Sequence, residues 1–550
     1  MIRIAVIADP HVHDTTWRPE GSGLAGAVRS YADTAASTRV FNESIPAFRT
    51  ALDRAALEGA RIVVVPGDLT DDGQRRNIET ALQLADEYER RHGLRLFMTP
   101  GNHDFFGRAG RRQVKEFVDA DGRRVTLDSG RPGMPSPNGL PEMATLGAPE
   151  ALGLLADLGF QPRPGDLHFE TPFGRDPEFA ARMHRATSPD GRSAFDMIDA
   201  SYLIEPTEGL WLLSIDANVV SPRDGCTDPD DPAQLHDPTD GGWPAVLRVR
   251  PYLFAWMRDV AARAASLGKL LVAFSHYPAL DPLGGTSEAE RALFVASGLA
   301  RRAPGEAVAA AFAGTGVRLH LSGHLHVNDS ALHRTAGGGF LNVAVPSPVG
   351  FVPAMKILDL TPDRLRMRSI RLDHVPGHDL AFAHYSREAQ VAGGSDPAAA
   401  SAQDHMAFID GHLRDLVTVR YMAREWPADM IAFVRRSTAS DLEALLWPGA
   451  EPAPAGRSLP LQVVCDDWYR LRKAGDLALD LVPAERLGLY RRWTGALVEA
   501  RTDGLAGNFA AFFALLARHI DRIPTADVDI DFAALELVSG QGRTLLRQTV

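Results

Sequence analysis

From Ile2 to about Leu372 the chain repeats one pattern: a short aliphatic run that closes on a polar cluster. "RIAVIAD" (3–9), "RIVVVPGD" (61–68), "LRLFMTPGNHD" (94–104), "LWLLSID" (210–216), "KLLVAFSH" (269–276) and "VRLHLSGH" (317–324) all follow it. Runs this apolar and this short predict strands buried on both faces. Helical spacing of apolar positions predicts helices over 44–60 and 75–91 between them. The alternation predicts an α/β layered fold, whose sites gather beyond the carboxyl ends of the strands. Three later runs, 340–347, 354–360 and 364–372, follow one another without helices and predict a meander closing a second sheet.

Two segments interrupt the pattern. Residues 105–209 include the Gly- and Pro-rich "GRPGMPSPNG" (130–139), and residues 221–243 form a polar stretch too long for a plain connector. Both read as insertions into a domain spanning 1–375, either functional lids or solvated surface. Residues 376–400 have linker composition, and 401–550 are mostly helical in period. They predict a second, all-α domain, expected to pack on the first or to self-associate into a homo-oligomer.

Composition narrows the function classes. The 550 residues are 45% hydrophobic and 23% charged, ordinary for a globular protein. No apolar run is long enough to span a membrane, and "MIRIAVIAD" reads as a buried strand rather than an export signal. Cys226 and Cys465 are the only cysteines, so neither a disulfide framework nor a thiolate metal cluster is expected. A cytoplasmic protein fits these features. Seventy acids against 58 bases give a net charge of −12. With no basic run, long nucleic acid is not the expected partner, and a small substrate is.

The chemistry lies in the polar clusters. In chain order they are Asp9 and His11, Gly67-Asp68, Gly101 to Asp104, His276, and Gly323-His324 with His326. Asp9, His11, Asp68, Asn102, His276, His324 and His326 are oxygen and imidazole ligands suited to borderline divalent metals. One ion takes four to six ligands, so the surplus points to two ions sharing a carboxylate bridge. The first cluster, "IADPHVHD", can be parsed as Asp-x-His or as the His-x-His of a metal-dependent amidohydrolase, with His11 and His13 as ligands.

Taken together and in this order, the five clusters resemble the calcineurin-like metallophosphoesterase superfamily, over roughly residues 1–372, and this settles the parse as Asp-x-His. The resemblance implies a β-sandwich flanked by helices. It implies one metal held by Asp9, His11 and His326, a second by Asn102, His276 and His324, and Asp68 bridging them. Metal-bound hydroxide would attack phosphorus while His103 protonates the leaving oxygen, a general-acid role worth about 10²–10⁴-fold. Gly67, Gly101 and Gly323 are expected to supply the dihedrals of abrupt turns. In the protein phosphatases of the superfamily the second motif reads G-D-x-x-D-R-G. Here Asp71 matches the second acid and is expected to orient His103, or to cap a helix. Asp72 stands where the phosphate-gripping Arg would be, which argues against a phosphoprotein substrate. Asn102, His103, His13 and Tyr277 are expected to face substrate.

The GNHD form of the third motif, the long insertion and the appended helices look like bacterial 3′,5′-cyclic-nucleotide phosphodiesterases. The expected function is therefore a dimetal phosphodiesterase acting on a cyclic nucleotide or similar small diester, using Fe, Mn or Zn. The alternatives are a phosphomonoesterase of the superfamily, a DNA exonuclease, or a binding protein that retains the fold.

Overall fold

A computed structural model describes every residue except 132–138, 336–337, 452, 454–455, 521, 523–526, 533, 540–541 and 545–550. Most of the Gly- and Pro-rich stretch 130–139 therefore lies outside the described residues.

The six apolar runs form strands Ile2–Val6, Ile62–Val65, Arg95–Met98, Leu210–Ser214, Leu270–Phe274 and Leu319–Ser322. They are shared between two sheets. In the eight-stranded sheet Ile2–Val6, Ile62–Val65 and Arg95–Met98 run parallel and adjacent. In the seven-stranded sheet Leu210–Ser214, Leu270–Phe274 and Leu319–Ser322 do the same. Burial explains the continuous apolar runs. Leu210 and Leu212 enter the main core, whereas Trp211 and Leu213 enter a second core with Trp243, Met257 and Phe312. A two-residue period thus fills both faces of the sheet. Helices Ser44–Leu57 and Arg75–His92 form where expected, each burying one stripe.

The predicted meander is divided. Gly338–Ala344 joins the second sheet beside Leu319–Ser322, but Ala354–Leu360 and Arg364–Arg371 return to the first, where Ala354–Leu360 pairs with Ile2–Val6. An absence of helices shows that strands are consecutive; it does not show which sheet each one joins. The 105–209 insertion is also more than an excursion. Its strands His168–Glu170 and Tyr202–Thr207 complete the second sheet.

Residues 382–391, read as linker, form a docked helix. Tyr385 is buried with its hydroxyl 3.0 Å from Glu43, and Glu388 accepts the Tyr31 backbone N–H at 2.6 Å. The helices that follow share one continuous core with the sheets. Phe294 stacks on Trp426 with ring centroids 4.8 Å apart, and Arg472 forms a buried ion pair with Glu290. Burying a side chain of this size contributes about 1.5–3 kcal/mol, so this apolar seam joins the two parts firmly. The C-terminal part is not purely helical. Asp527–Asp531 pairs with Arg364–Arg371, and Glu536–Ser539 and Gly542–Thr544 extend the first sheet further. No helix among the described residues is long and apolar enough to cross a membrane.

Candidate metal centre

The carboxyl ends of the parallel strands from both sheets converge, and two groups of ligand atoms meet there. Asp9, His11 and His326 form one, and Asp68, His276 and His324 the other, with the ligand atoms of each group within 4.8 Å of one another. In the first group His11 Nε2 is 3.1 Å from His326 Nε2, and His326 Nε2 is 3.7 Å from Asp9 Oδ1. In the second, His276 Nε2 is 3.2 Å from Asp68 Oδ2, 3.0 Å from His324 Nδ1 and 3.1 Å from Asn102 Oδ1. Asp68 Oδ2 also lies 3.7 Å from His11 Nε2, so this carboxylate faces both groups. All seven residues named from the sequence are buried.

The donor set fits two divalent cations. Oxygens and imidazole nitrogens point at common centres, a convergence of lone pairs that cations would satisfy. The outer nitrogens select the tautomer. His276 Nδ1 donates to the Pro66 carbonyl at 3.0 Å, which leaves the Nε2 lone pair facing the centre. Without a cation, burial pulls the His276 imidazolium down, but the Asp68 and Asp9 carboxylates outweigh it and push it up to about 9.

Backbone geometry marks the same residues. Asp9, His11, Asp68, His324 and His326 have φ of 52°, 46°, 50°, 73° and 50°; Leu535 is the one other non-glycine with positive φ among the described residues. Each such conformation costs about 1–3 kcal/mol and persists only where its surroundings enforce it. Here the His324 N–H donates to Asp9 Oδ1 at 2.9 Å, the His103 N–H to Asp68 Oδ1 at 2.8 Å, and the Ser347 hydroxyl to the Asp9 carbonyl at 2.7 Å.

The glycines beside the ligands divide into two kinds. Gly67 has φ of 84°, as a sharp turn requires. Gly101 and Gly323 do not need that freedom; they need space. A Cβ at Gly101 would sit 2.1 Å from Asp68 Oδ1, and one at Gly323 would sit 2.3 Å from Asp9 Oδ2. Gly323→Ala should therefore displace the Asp9 carboxylate. The variant is expected to stay folded by circular dichroism and to lose one metal equivalent relative to the parent after gel filtration, measured by elemental mass spectrometry.

His103 stands at the edge of this cluster, its ring edge-on to His11 at 5.1 Å. The acid that holds it is Asp72, not Asp71: Asp72 Oδ1 lies 3.0 Å from His103 Nδ1. Asp71 turns inward to a buried network with Arg29 at 3.2 Å, Arg39 at 2.6 Å and Lys115 at 2.8 Å. Burial pushes the Asp71 carboxyl up, but Lys115, Arg39 and Arg29 outweigh it and hold it well below the usual range. Neither acid caps a helix; the following helix is capped at Gln74. Arg39 links the network to the site, with Nη2 3.4 Å from His103 Nδ1. No motif marked Arg29, Arg39 or Lys115, because they come from a loop and an inserted hairpin whose lengths carry no pattern. Asp71→Asn leaves buried cations without their partner and should destabilise the fold by about 3 kcal/mol or more, read as a lowered urea midpoint.

Two residues expected to face substrate have other partners. His13 is buried, its Nε2 2.8 Å from the Ala27 carbonyl and its ring stacked on Phe117, and burial holds it neutral with its pKa down to about 4. The left-handed backbone at His11, with φ of 46°, breaks the extended run that would have put both rings on one face. Tyr277 packs against the ligands, with ring centroids 4.5 Å from His324 and 5.0 Å from His276. Its hydroxyl donates to the Pro238 carbonyl at 2.8 Å, tying the 221–243 segment to the centre.

A cavity of about 510 Å³ is lined by Phe105, Met197, Ile198, Asn218, Val220 and Arg250; neither His103 nor the seven ligands line it. Asn218 is buried, with its amide nitrogen unpartnered among the described residues.

Comparison with known proteins places these features in context. Residues 2–135 match the sequence family described as calcineurin-like phosphoesterase. Among solved structures, the crystal structure of a dimetal phosphatase from Danio rerio is similar at 13% identity, over 67% of this chain and 96% of that one, with a TM-score of 0.37. No curated protein matches the chain.

Proposed function

We propose that this chain, whose residues 2–135 belong to the calcineurin-like metallophosphoesterase superfamily, is a dimetal-dependent phosphoester hydrolase whose substrate is a small phosphodiester, a 3′,5′-cyclic nucleotide or a compound like it. The observation that carries the reading is the pair of ligand groups faced by one carboxylate, Asp68, with the half-exposed His103 at their edge. When bound, the two cations supply Lewis-acid charge to the phosphoryl group and acidify water.

The chain's own residues do the rest. Asp9, His11 and His326 would hold one ion and Asn102, His276 and His324 the other, with Asp68 placed to serve both. With His103 Nδ1 committed to Asp72, Nε2 is the nitrogen left to give a proton to the departing oxygen. The Asp72 carboxylate, held to about 2 by Lys115 and His103 against the opposing effects of burial and Asp71, stays charged and supports the imidazolium.

Support for a diester comes from the cavity lined by Asn218, whose Oδ1 lies 3.4 Å from the hydroxyl of Tyr277, the ring packed on His324 and His276. The cavity at Phe105 offers apolar walls and one unsatisfied amide, Asn218, to an ester group of nucleoside size. Asp72 at the position of a phosphate-gripping Arg favours a substrate other than a phosphoprotein. Filling the cavity by Ala180→Trp should raise KM for 3′,5′-cyclic AMP at least about ten-fold, the cost of displacing a few methylenes' worth of contact. It should leave methyl p-nitrophenyl phosphate unaffected.

The test is an assay of metal-reconstituted protein against bis(p-nitrophenyl) phosphate, p-nitrophenyl phosphate and 3′,5′-cyclic AMP. Diester turnover above monoester turnover is expected. Monoester activity far above diester activity would overturn the substrate assignment, and inertness toward all three would overturn the hydrolase.

A further inference from the structure

The helical region carries two cationic side chains near the loops of the metal centre, and neither has an ion-pair partner among the described residues. Helix Leu461–Ala474 carries Arg470, Arg472 and Lys473 in succession. Arg470 is paired with Asp410 and Asp467, and Arg472 with Glu290. Lys473 is 1% exposed and pairs with no carboxylate among the described residues. Its ammonium makes one long contact, 3.4 Å to the carbonyl of Leu325, the residue between His324 and His326.

The second cation is Arg420. It lies on Val417–Met422, where the helix His405–Leu416 widens into a π-helical turn. Such turns are rare and occur often at functional sites. Arg420 donates to the Ala36 carbonyl at 3.0 Å, on the segment that also carries Arg39, and it too has no ion-pair partner among the described residues. The hydroxyl of Tyr421, the next residue, is buried without a hydrogen-bond partner among the described residues.

Arg420 and Lys473 are close enough to repel each other. The carboxylates within electrostatic range of Lys473 are Asp9 and Glu425. Asp9 is a metal ligand, so bound cations claim its charge. Glu425 lies within electrostatic range of both Arg420 and Lys473 and accepts the Gly298 backbone N–H at 3.1 Å, so one carboxylate is shared between two cations. Arg302, facing His324 from the catalytic part, is already paired with Asp240 at 2.7 Å. Buried cations are normally paired, and two that share one carboxylate beside the loops of a metal centre leave an excess of positive charge for an anion to balance.

We propose that Arg420 and Lys473 form a phosphate-binding subsite, so that the helical region completes the active site rather than merely buttressing it. The assignment deepens the hydrolase reading and rests on it for the identity of the anion, a phosphate group of the substrate. That group is either the scissile phosphate or a second one on the same molecule.

The experiment uses full-length, metal-loaded protein and inorganic phosphate as the probe. Phosphate affinity is measured by calorimetry for the parent, Arg420→Gln and Lys473→Met, with metal content and melting temperature recorded for each. Both substitutions should weaken phosphate binding at least ten-fold while metal content stays at the parent's value. Arg420 is half-buried on a helix, so Arg420→Gln decides the matter if Lys473→Met does not fold. KM values for bis(p-nitrophenyl) phosphate and for a diester bearing an added phosphomonoester distinguish the two sources. A rise for both marks the scissile phosphate, and a rise for the second alone marks an outer one. Unchanged phosphate affinity and unchanged KM in folded, metal-replete Arg420→Gln overturn the subsite and leave the hydrolase standing. Conversely, phosphate binding that depends on Arg420 in a protein inert toward every ester keeps the subsite and removes the hydrolase.

Discussion

Asp68→Ala yields a folded protein that has lost at least about 10³-fold in kcat/KM for phosphodiesters, more than the 10²–10³ typical of removing one transition-state donor. The reason is that Asp68 serves both ligand groups at once. Its Oδ2 lies 3.2 Å from His276 Nε2 and 3.7 Å from His11 Nε2, and its Oδ1 accepts the His103 backbone N–H. Removing the carboxylate leaves two imidazoles and Asn102 to hold one ion, Asp9 and two imidazoles to hold the other, and no charge shared between them. Metal content should therefore fall along with activity. Asp68→Asn keeps the shape and the bond to His103 while removing the charge, and it should fail nearly as badly. A variant that retained both its metals and its turnover would show that the two groups act independently.

His103→Ala is the second large effect, and its signature is selective. Loss of a general acid costs about 10²–10⁴-fold where the leaving oxygen needs a proton. A ribose alkoxide needs one and a p-nitrophenolate hardly does. The variant should therefore lose two or more orders of magnitude on 3′,5′-cyclic AMP and far less on bis(p-nitrophenyl) phosphate. Because Asp72 holds His103 Nδ1, Asp72→Asn should show the same selectivity in weaker form. Asp71→Asn should destabilise the protein without changing the leaving-group dependence. Equal losses on both substrates in His103→Ala would assign His103 to binding rather than to proton transfer.

The ligand set was legible because each ligand follows a buried strand, and buried strands announce themselves as apolar runs. Seven residues spread from Asp9 to His326 are brought together by two sheets whose parallel strands end on the same side. Asp72 was not legible. Asp71 and Asp72 are adjacent and share Lys115, and a single turn decides which faces His103 and which faces Arg29 and Arg39. Arg420 and Lys473 were invisible for another reason: their position depends on how the helical region docks, and helical periodicity says nothing of that. One missed element did leave a signal. "DVDID" alternates acid and aliphatic, and Val528 and Ile530 are the buried positions of the strand Asp527–Asp531. A period of two inside a region otherwise of helical period is the mark of a strand returning to a sheet.

Strain adds a reason to expect metal and fold to support each other. Five ligands hold left-handed backbone conformations, and the bonds that enforce them run through ligand carboxylates, from His324 to Asp9 and from His103 to Asp68. A cation that fixes those carboxylates stabilises the loops that carry them. The central claim, that this centre works with two metals and hydrolyses phosphoesters, is tested most directly by titrating chelator-stripped protein with Mn²⁺ while following bis(p-nitrophenyl) phosphate hydrolysis. Activity is predicted to rise from background and saturate at two equivalents per chain. Saturation at one equivalent, or no hydrolysis with manganese, iron or zinc at any ratio, would contradict it.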